Sequence, residues 1–120
     1  MEYVMDLYDT NIRKAIDTCI EKDGYRVGIA CMAKNIEIES KILHDILHDT
    51  DNIEQYVQKF IRGRDRCEVW FKNGSIIRII NASTSARGYR VNSLLIDTKI
   101  PSEVVRCVLM PFLVKYYERE

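Results

Sequence analysis

Asn73-Gly74 stands between two runs rich in β-branched and aromatic residues, Cys67-Glu68-Val69-Trp70-Phe71-Lys72 and Ser75-Ile76-Ile77-Arg78-Ile79-Ile80. Asn-Gly accepts the positive φ angles of a tight reversal, so the pattern predicts a β-hairpin over residues 67–80. Two further runs read as strands. Tyr25-Arg26-Val27-Gly28-Ile29-Ala30-Cys31-Met32 is almost continuously apolar or small, and Ser93-Leu94-Leu95-Ile96 stops at Asp97. Neither alternates in polarity, as expected of strands buried on both faces.

Helical spacing fills the intervals. Val4, Tyr8, Ile12, Ala15, Ile16 and Cys19 recur every three or four residues and predict a helix over 3–22, stopped at Asp23-Gly24. Asn35 is placed to cap a second helix, with Ile42, Leu43, Ile46 and Leu47 on its buried side. Asp51 and Glu54 have capping-box spacing and predict a third helix carrying Ile53, Tyr56, Val57, Phe60 and Ile61, closed by Gly63. Pro101 suits the first turn of a closing helix with Val104, Val105, Val108, Leu109, Phe112 and Tyr116 on one side, and Pro111 should bend or break it. The order is that of an α/β domain, a small partly parallel sheet flanked by helices. With 120 residues and 47% apolar content, the chain is expected to form a single domain spanning 1–120.

No run reaches the eighteen or so apolar residues that cross a bilayer, so no membrane partner is expected. The N-terminus lacks a basic-then-apolar signal pattern. Cys19, Cys31, Cys67 and Cys107 form no Cys-x-x-Cys pair. Cys19, Cys31 and Cys107 sit in apolar surroundings and read as buried thiols, which points to a reducing, cytoplasmic setting. Net charge is zero, yet residues 1–60 hold 7 Lys/Arg against 12 Asp/Glu, and residues 61–120 hold 11 against 6. Such polarity accompanies nucleic-acid binding, head-to-tail association, or two halves that neutralise each other in the fold.

Several of these segments together resemble the ATPase domain of phage large terminase subunits, the motors that package DNA into tailed-phage heads. The resemblance spans 24–114. It rests on Gly24-Tyr25-Arg26-Val27, on Phe71-Lys72-Asn73-Gly74-Ser75-Ile76-Ile77-Arg78, on Ala82-Ser83-Thr84-Ser85-Ala86-Arg87-Gly88-Tyr89-Arg90, and on Leu94-Leu95-Ile96-Asp97. It implies a truncated P-loop-NTPase-like core in which Asp97 stands at the Walker B position, the one candidate for a magnesium ion; no other cofactor follows. The departures bear on activity. No Gly-x-x-x-x-Gly-Lys-Ser/Thr loop occurs, and Thr98 stands where the family has its water-activating glutamate. Residues 1–22 correspond only to the helix after that loop. Loss of the first strand should leave a sheet edge that is either covered by helix 3–22 or used in a homo-oligomer.

The chain thus reads as a phage or prophage terminase-like protein without ATP hydrolysis of its own, in the host cytoplasm, binding DNA, a nucleotide-like ligand or packaging proteins. The alternatives are a split terminase completed by another polypeptide and an unrelated α/β interaction module. Arg87 and Arg90, and the cluster Arg62, Arg64 and Arg66, are the phosphate or nucleic-acid candidates; solvated surface charge is the competing reading. Asp97 serves either as a metal-binding remnant or as a strand-end residue capping the next turn. Trp70, Phe71 and Tyr89 either stack on bases or fill a core. His44 and His48 share the spacing of a His-Glu-x-x-His zinc motif, on a face expected to look into solvent. Ser83, Thr84 and Ser85 have no histidine partner in view.

Overall fold

The predicted hairpin forms, and the rest of one sheet grows from it. A computed structural model of the chain describes residues 3–49, 52–63, 66–82 and 90–114. Its strands are β1 (Val4–Asp6), β2 (Arg26–Cys31), β3 (Val57–Arg62), β4 (Cys67–Phe71), β5 (Ile76–Asn81) and β6 (Ser93–Ile96), with helices α1 (Asp9–Glu21) and α2 (Ile36–Asp49). The sheet order is β1-β6-β2-β5-β4-β3. β1, β6, β2 and β5 run parallel; β4 and β3 are antiparallel to their neighbours. β2 and β6 are parallel neighbours, with Val27 beside Ser93 and Ala30 beside Ile96.

The hairpin turn is longer by one residue than Asn73-Gly74 alone would make it. Phe71 and Ser75 face each other across Lys72-Asn73-Gly74, with Gly74 at φ +88°. That is the three-residue loop ending in a left-handed glycine. A two-residue loop would have set Arg78 opposite Val69; the observed register sets it opposite Glu68. Asn73 also docks the turn onto α1. Its Nδ2 donates to the Cys19 carbonyl at 2.7 Å, and Gly24 N–H donates back to its carbonyl at 3.2 Å.

One face of the sheet packs under α1 and α2. Ile12, Ala15, Ile16 and Cys19 of α1 and Leu43, Ile46 and Leu47 of α2 meet Val27, Ile29, Val69, Phe71, Ile77 and Leu95. On the other face the β6-β2-β5 part is covered by a short C-terminal helical segment, α3 (Ser102–Val104), followed by a π-turn, Val105–Leu109, and a 3₁₀ turn, Met110–Phe112. Pro111 has no N–H to donate, so the α-helical register cannot continue. Leu109, Phe112 and Leu113 bury against Ala30, Ile80, Leu94 and Ile96. Gly28 makes this packing fit, because a Cβ there would stand 2.5 Å from Ile80 Cδ1 and 3.1 Å from Leu94 Cδ2. Val91 then bridges to Leu113, fastening the end of the segment beside the entry to β6.

Four expectations are corrected. The chain opens with a strand, not a helix from residue 3: Val4–Asp6 pairs with β6, and helix α1 starts only at Asp9. The place beside β6, expected to be covered by helix 3–22 or used in a homo-oligomer, is taken by β1, which is itself the edge strand. The helix expected over residues 51–61 is a 3₁₀ turn, Glu54–Tyr56, leading into strand β3. Asn35 lies within a 3₁₀ turn, Ala33–Asn35, that runs straight into α2. Of the cysteines, Cys107 is exposed on the outside of the C-terminal segment, whereas Cys19, Cys31 and Cys67 are buried. Among the described residues no helix is long and apolar enough to cross a membrane.

Candidate functional site

Two places in the fold gather chemically capable side chains: the edge formed by the C-terminal ends of the parallel strands, and the face of the hairpin half that lies away from the helices.

At the strand edge β1 ends in Asp6 and β6 is followed by Asp97, and both line a cavity of about 370 Å³ with Thr98, Ser102 and Arg106. Ligands of parallel sheets collect at this edge. The local chemistry is that of a turn. Asp97 Oδ1 accepts the Lys99 N–H at 3.0 Å, and its backbone carbonyl accepts the Ile100 N–H at 3.0 Å. The strand-end capping role considered for Asp97 is the one its contacts describe. Thr98 is exposed within that turn. Magnesium needs several oxygen ligands in near-octahedral array. One Asp97 oxygen is taken up by the turn, Arg106 brings a cation to the same cavity, and no metal-holding group of three His, Cys, Asp or Glu side chains occurs among the described residues. The carboxylate donors of this cavity are Asp6 and the second oxygen of Asp97, with the Arg106 cation beside them.

The start of α1 lies at the same edge. Only Leu7 and Tyr8 separate β1 from α1, and the first turn of α1 carries Asp9. A helix start attracts phosphate through free N–H groups, and a carboxylate there opposes it. Negative charge accumulates nearby. Glu39 has its pKa raised, first by burial and then by Asp97 and Asp9, with Lys99 partly offsetting them. The Cys31 thiol at the end of β2 is pushed up to about 12 by burial, then by Glu39 and Asp97, which leaves it unreactive.

The second place belongs to β3, β4 and β5. Strand register aligns Lys59, Trp70 and Ile76 in one row and Ile61, Glu68 and Arg78 in the next, all on the face opposite α1 and α2. Glu68 is the organising group, its side chain only 5% exposed. It accepts two hydrogen bonds from Arg66, at 3.1 and 3.2 Å, and one from Trp70 Nε1 at 2.9 Å; Arg78 Nε lies 3.5 Å away. Burial raises the Glu68 pKa. The Arg66 and Trp70 hydrogen bonds and the Arg78 charge together outweigh it, so the carboxyl titrates below its usual range. Over the indole, Lys59 Nζ stands 4.7 Å from the ring centroid and Arg78 Cζ 6.0 Å. Trp70, Ile61 and Ile76 are half-buried and belong to neither apolar cluster among the described residues.

The sequence-derived candidates do not converge. Arg66 joins the Glu68 group. Arg62 is exposed at the end of β3, on the same sheet edge as Asp97 but on its far side. From β6 to β3 is four strand spacings, roughly 19 Å at ~4.8 Å each. Arg90 is exposed at the opposite end of β6 from Asp97. Arg64, Arg87, Tyr89 and Ser83 to Ser85 lie outside the described residues. Phe71 is core, at 1% exposure. The histidine pair does not look wholly into solvent: the His44 and His48 rings stack at 3.9 Å, and Phe60 of β3 meets His44 edge-on at 5.4 Å. Sequence reasoning missed Lys59, Glu68 and Arg78. The available signal was an acid and an arginine inside two otherwise apolar strands.

No protein-family model matches the chain, and no curated protein or solved structure matches it either.

Proposed function

We propose that the chain is a non-hydrolysing, terminase-like binding domain of a phage or prophage, acting on DNA in the cytoplasm of the bacterial host, alone or with packaging proteins. The observation that carries this reading is the separation of charge across the sheet. Asp6, Asp9, Glu39 and Asp97 gather at the strand edge against Arg106 and Lys99, while Lys59, Arg62, Arg66 and Arg78 lie on the hairpin half against Glu68. The first group repels a polyanion and the second attracts one. Parallel β2 and β6, with Asp97 after β6, support descent from a motor-like frame. Against the split-motor alternative, the chain's own β1 already fills the place beside β6.

Two measurements test the reading. Phosphate release with magnesium ATP should not exceed a buffer control; turnover by the wild type that disappears in Asp97→Ala would overturn the non-hydrolysing half. Fluorescence anisotropy of labelled DNA should report binding that weakens as salt rises from about 50 to about 200 mM. An absence of binding at the lower salt would overturn the DNA half.

A further inference from the structure

The hairpin half of the sheet presents an aromatic ring and three cations on one face, and the geometry points to a specific form of nucleic acid. We propose that the face formed by Lys59, Trp70, Arg78 and Arg66 binds single-stranded nucleic acid, with one base stacked on Trp70 and the neighbouring phosphates held by the cations. The proposal rests on the DNA-binding reading above and adds the surface and the strandedness.

Three features argue for it. First, the indole is held in place. Its N–H is fixed on Glu68 at 2.9 Å, and Glu68 is itself held by Arg66 and Arg78, so the ring orientation is set before a ligand arrives. Second, the ring is within reach of solvent-borne charge. Lys59, an exposed residue, lays its ammonium 4.7 Å from the ring centroid. A base taking that position would release the ammonium to an adjacent phosphate, exchanging one cation–π contact for stacking plus an ion pair. Third, Lys59 is exposed and Arg66 keeps 62% of its side chain in solvent beside the Glu68–Trp70 pair, so positive charge reaches water next to the ring, where a phosphate chain would run.

Strandedness follows from the ring. In a duplex the base faces are already stacked on one another, so a side chain on a sheet face meets only phosphates. An unpaired base offers its π-face to an aromatic platform. No base-specific donor set accompanies Trp70, so binding should tolerate any sequence.

Trp70 is the protein's sole tryptophan, and its fluorescence reports on the site directly. The full-length chain is titrated with an oligothymidylate of about 15 nucleotides, with a duplex of the same length, and with heparin. The expected result is quenching by the oligothymidylate and neither by the duplex nor by heparin. Affinity should fall about 20-fold between about 50 and 200 mM salt if three phosphates are held. Trp70→Leu should weaken binding of a labelled oligothymidylate by about 5- to 150-fold, the range for loss of one stacked base. Lys59→Glu, at an exposed position, should weaken it about 10-fold or more with the fold kept. Any fall in melting temperature should stay within the small loss of one exposed cation–π contact, so this variant also tests the surface should Trp70→Leu fail to fold.

Labelled DNA that binds with unchanged Trp70 fluorescence, and equally in both variants, would overturn this surface while leaving the DNA-binding reading intact. Equal quenching by heparin, or tighter binding of the duplex, would overturn the stacking and the single-strand preference. If no oligonucleotide binds by anisotropy at low salt, this inference and the reading beneath it fall together.

Discussion

The two halves of the sheet share a helical layer on one face and differ on the other. Under the C-terminal segment, β2 has five of six residues buried and β6 all four; at the far end, β3 has none of its six buried. The covered half is apolar on both sides, with Ala30, Leu94 and Ile96 packed against Leu109 and Phe112. The other half replaces that packing with Lys59, Glu68, Trp70 and Arg78, which contact one another laterally within the sheet through a Trp70–Glu68 hydrogen bond, an Arg78–Glu68 ion pair and a Lys59–Trp70 cation–π contact. A strand sandwiched between layers derives stability from apolar area on both faces, whereas one open on a face can carry polar side chains there, paired with one another or with water. Charge and aromatic surface therefore concentrate on the half that packing does not need.

That contrast breaks most readily in its cores. Leu94→Ala, at a position with no exposure, should cost about 2–5 kcal/mol by chemical denaturation. Ile76→Ala on the half-buried row beside Trp70 should cost about 1 kcal/mol, since much of that side chain already meets water. Equal losses would mean that the hairpin half is as deeply packed as the other, and the distinction would be lost.

The covered half is also the half that reads cleanly from sequence. Tyr25–Met32 and Ser93–Ile96 are continuous apolar runs, and both became strands within a residue or two of expectation. β3 misleads for a physical reason. An extra residue between Val57 and Lys59 shifts the pairing, so Val57 and Phe60, three apart, share one face. Three-residue spacing is a helical signature, and a bulged edge strand imitates it. The Glu68–Arg78 pair was hidden by an equally small cause, the one-residue difference in the hairpin loop that moves Arg78 from opposite Val69 to opposite Glu68. Arg66 and Trp70 were visible as a charge and an aromatic. That they act together could not be read without the register. β1 was absorbed into the α1 pattern because a three-residue strand carries too few positions to show a period of its own.

Asn73 tests the joint between the halves, where the hairpin turn closes onto the last carbonyls of α1. Besides Cys19, its side chain reaches the Ile20 and Lys22 carbonyls at 3.3 Å, and its Oδ1 accepts the Ser75 N–H. Asn73→Ala removes these bonds, leaving the Lys22 carbonyl with the Ser75 hydroxyl, and should cost about 1–3 kcal/mol. Hydrogen exchange should quicken at the end of α1 and in the turn together. Faster exchange at the turn alone would show that the docking contributes nothing.

Two glutamates carry the comparison into pH, with opposite signs. Glu68 titrates below its ordinary value in the folded state, so its contribution is fully present above the unfolded-state pKa and is lost as pH falls through the folded one. Glu68→Gln should therefore destabilise near neutrality, by about 1–2 kcal/mol given that Arg66 is 62% exposed and screened, and the deficit should vanish in acid. Glu39 is the reverse case. Burial, then Asp97 and Asp9, raise its folded-state pKa, so its ionised form opposes folding. The penalty develops as pH climbs from the unfolded value through the folded one, and it persists above that. Glu39→Gln removes the charge and keeps the shape, so it should stabilise at neutral pH by less than about 0.5 kcal/mol, the usual scale for changes away from the core. Denaturation midpoints across pH 3 to 8 would show the two variants departing from wild type in opposite directions. If Glu39→Gln also lowers stability at pH 7, its carboxylate is serving an attractive partner, Lys99 foremost, and the strand edge is less repulsive than its Asp and Glu content implies.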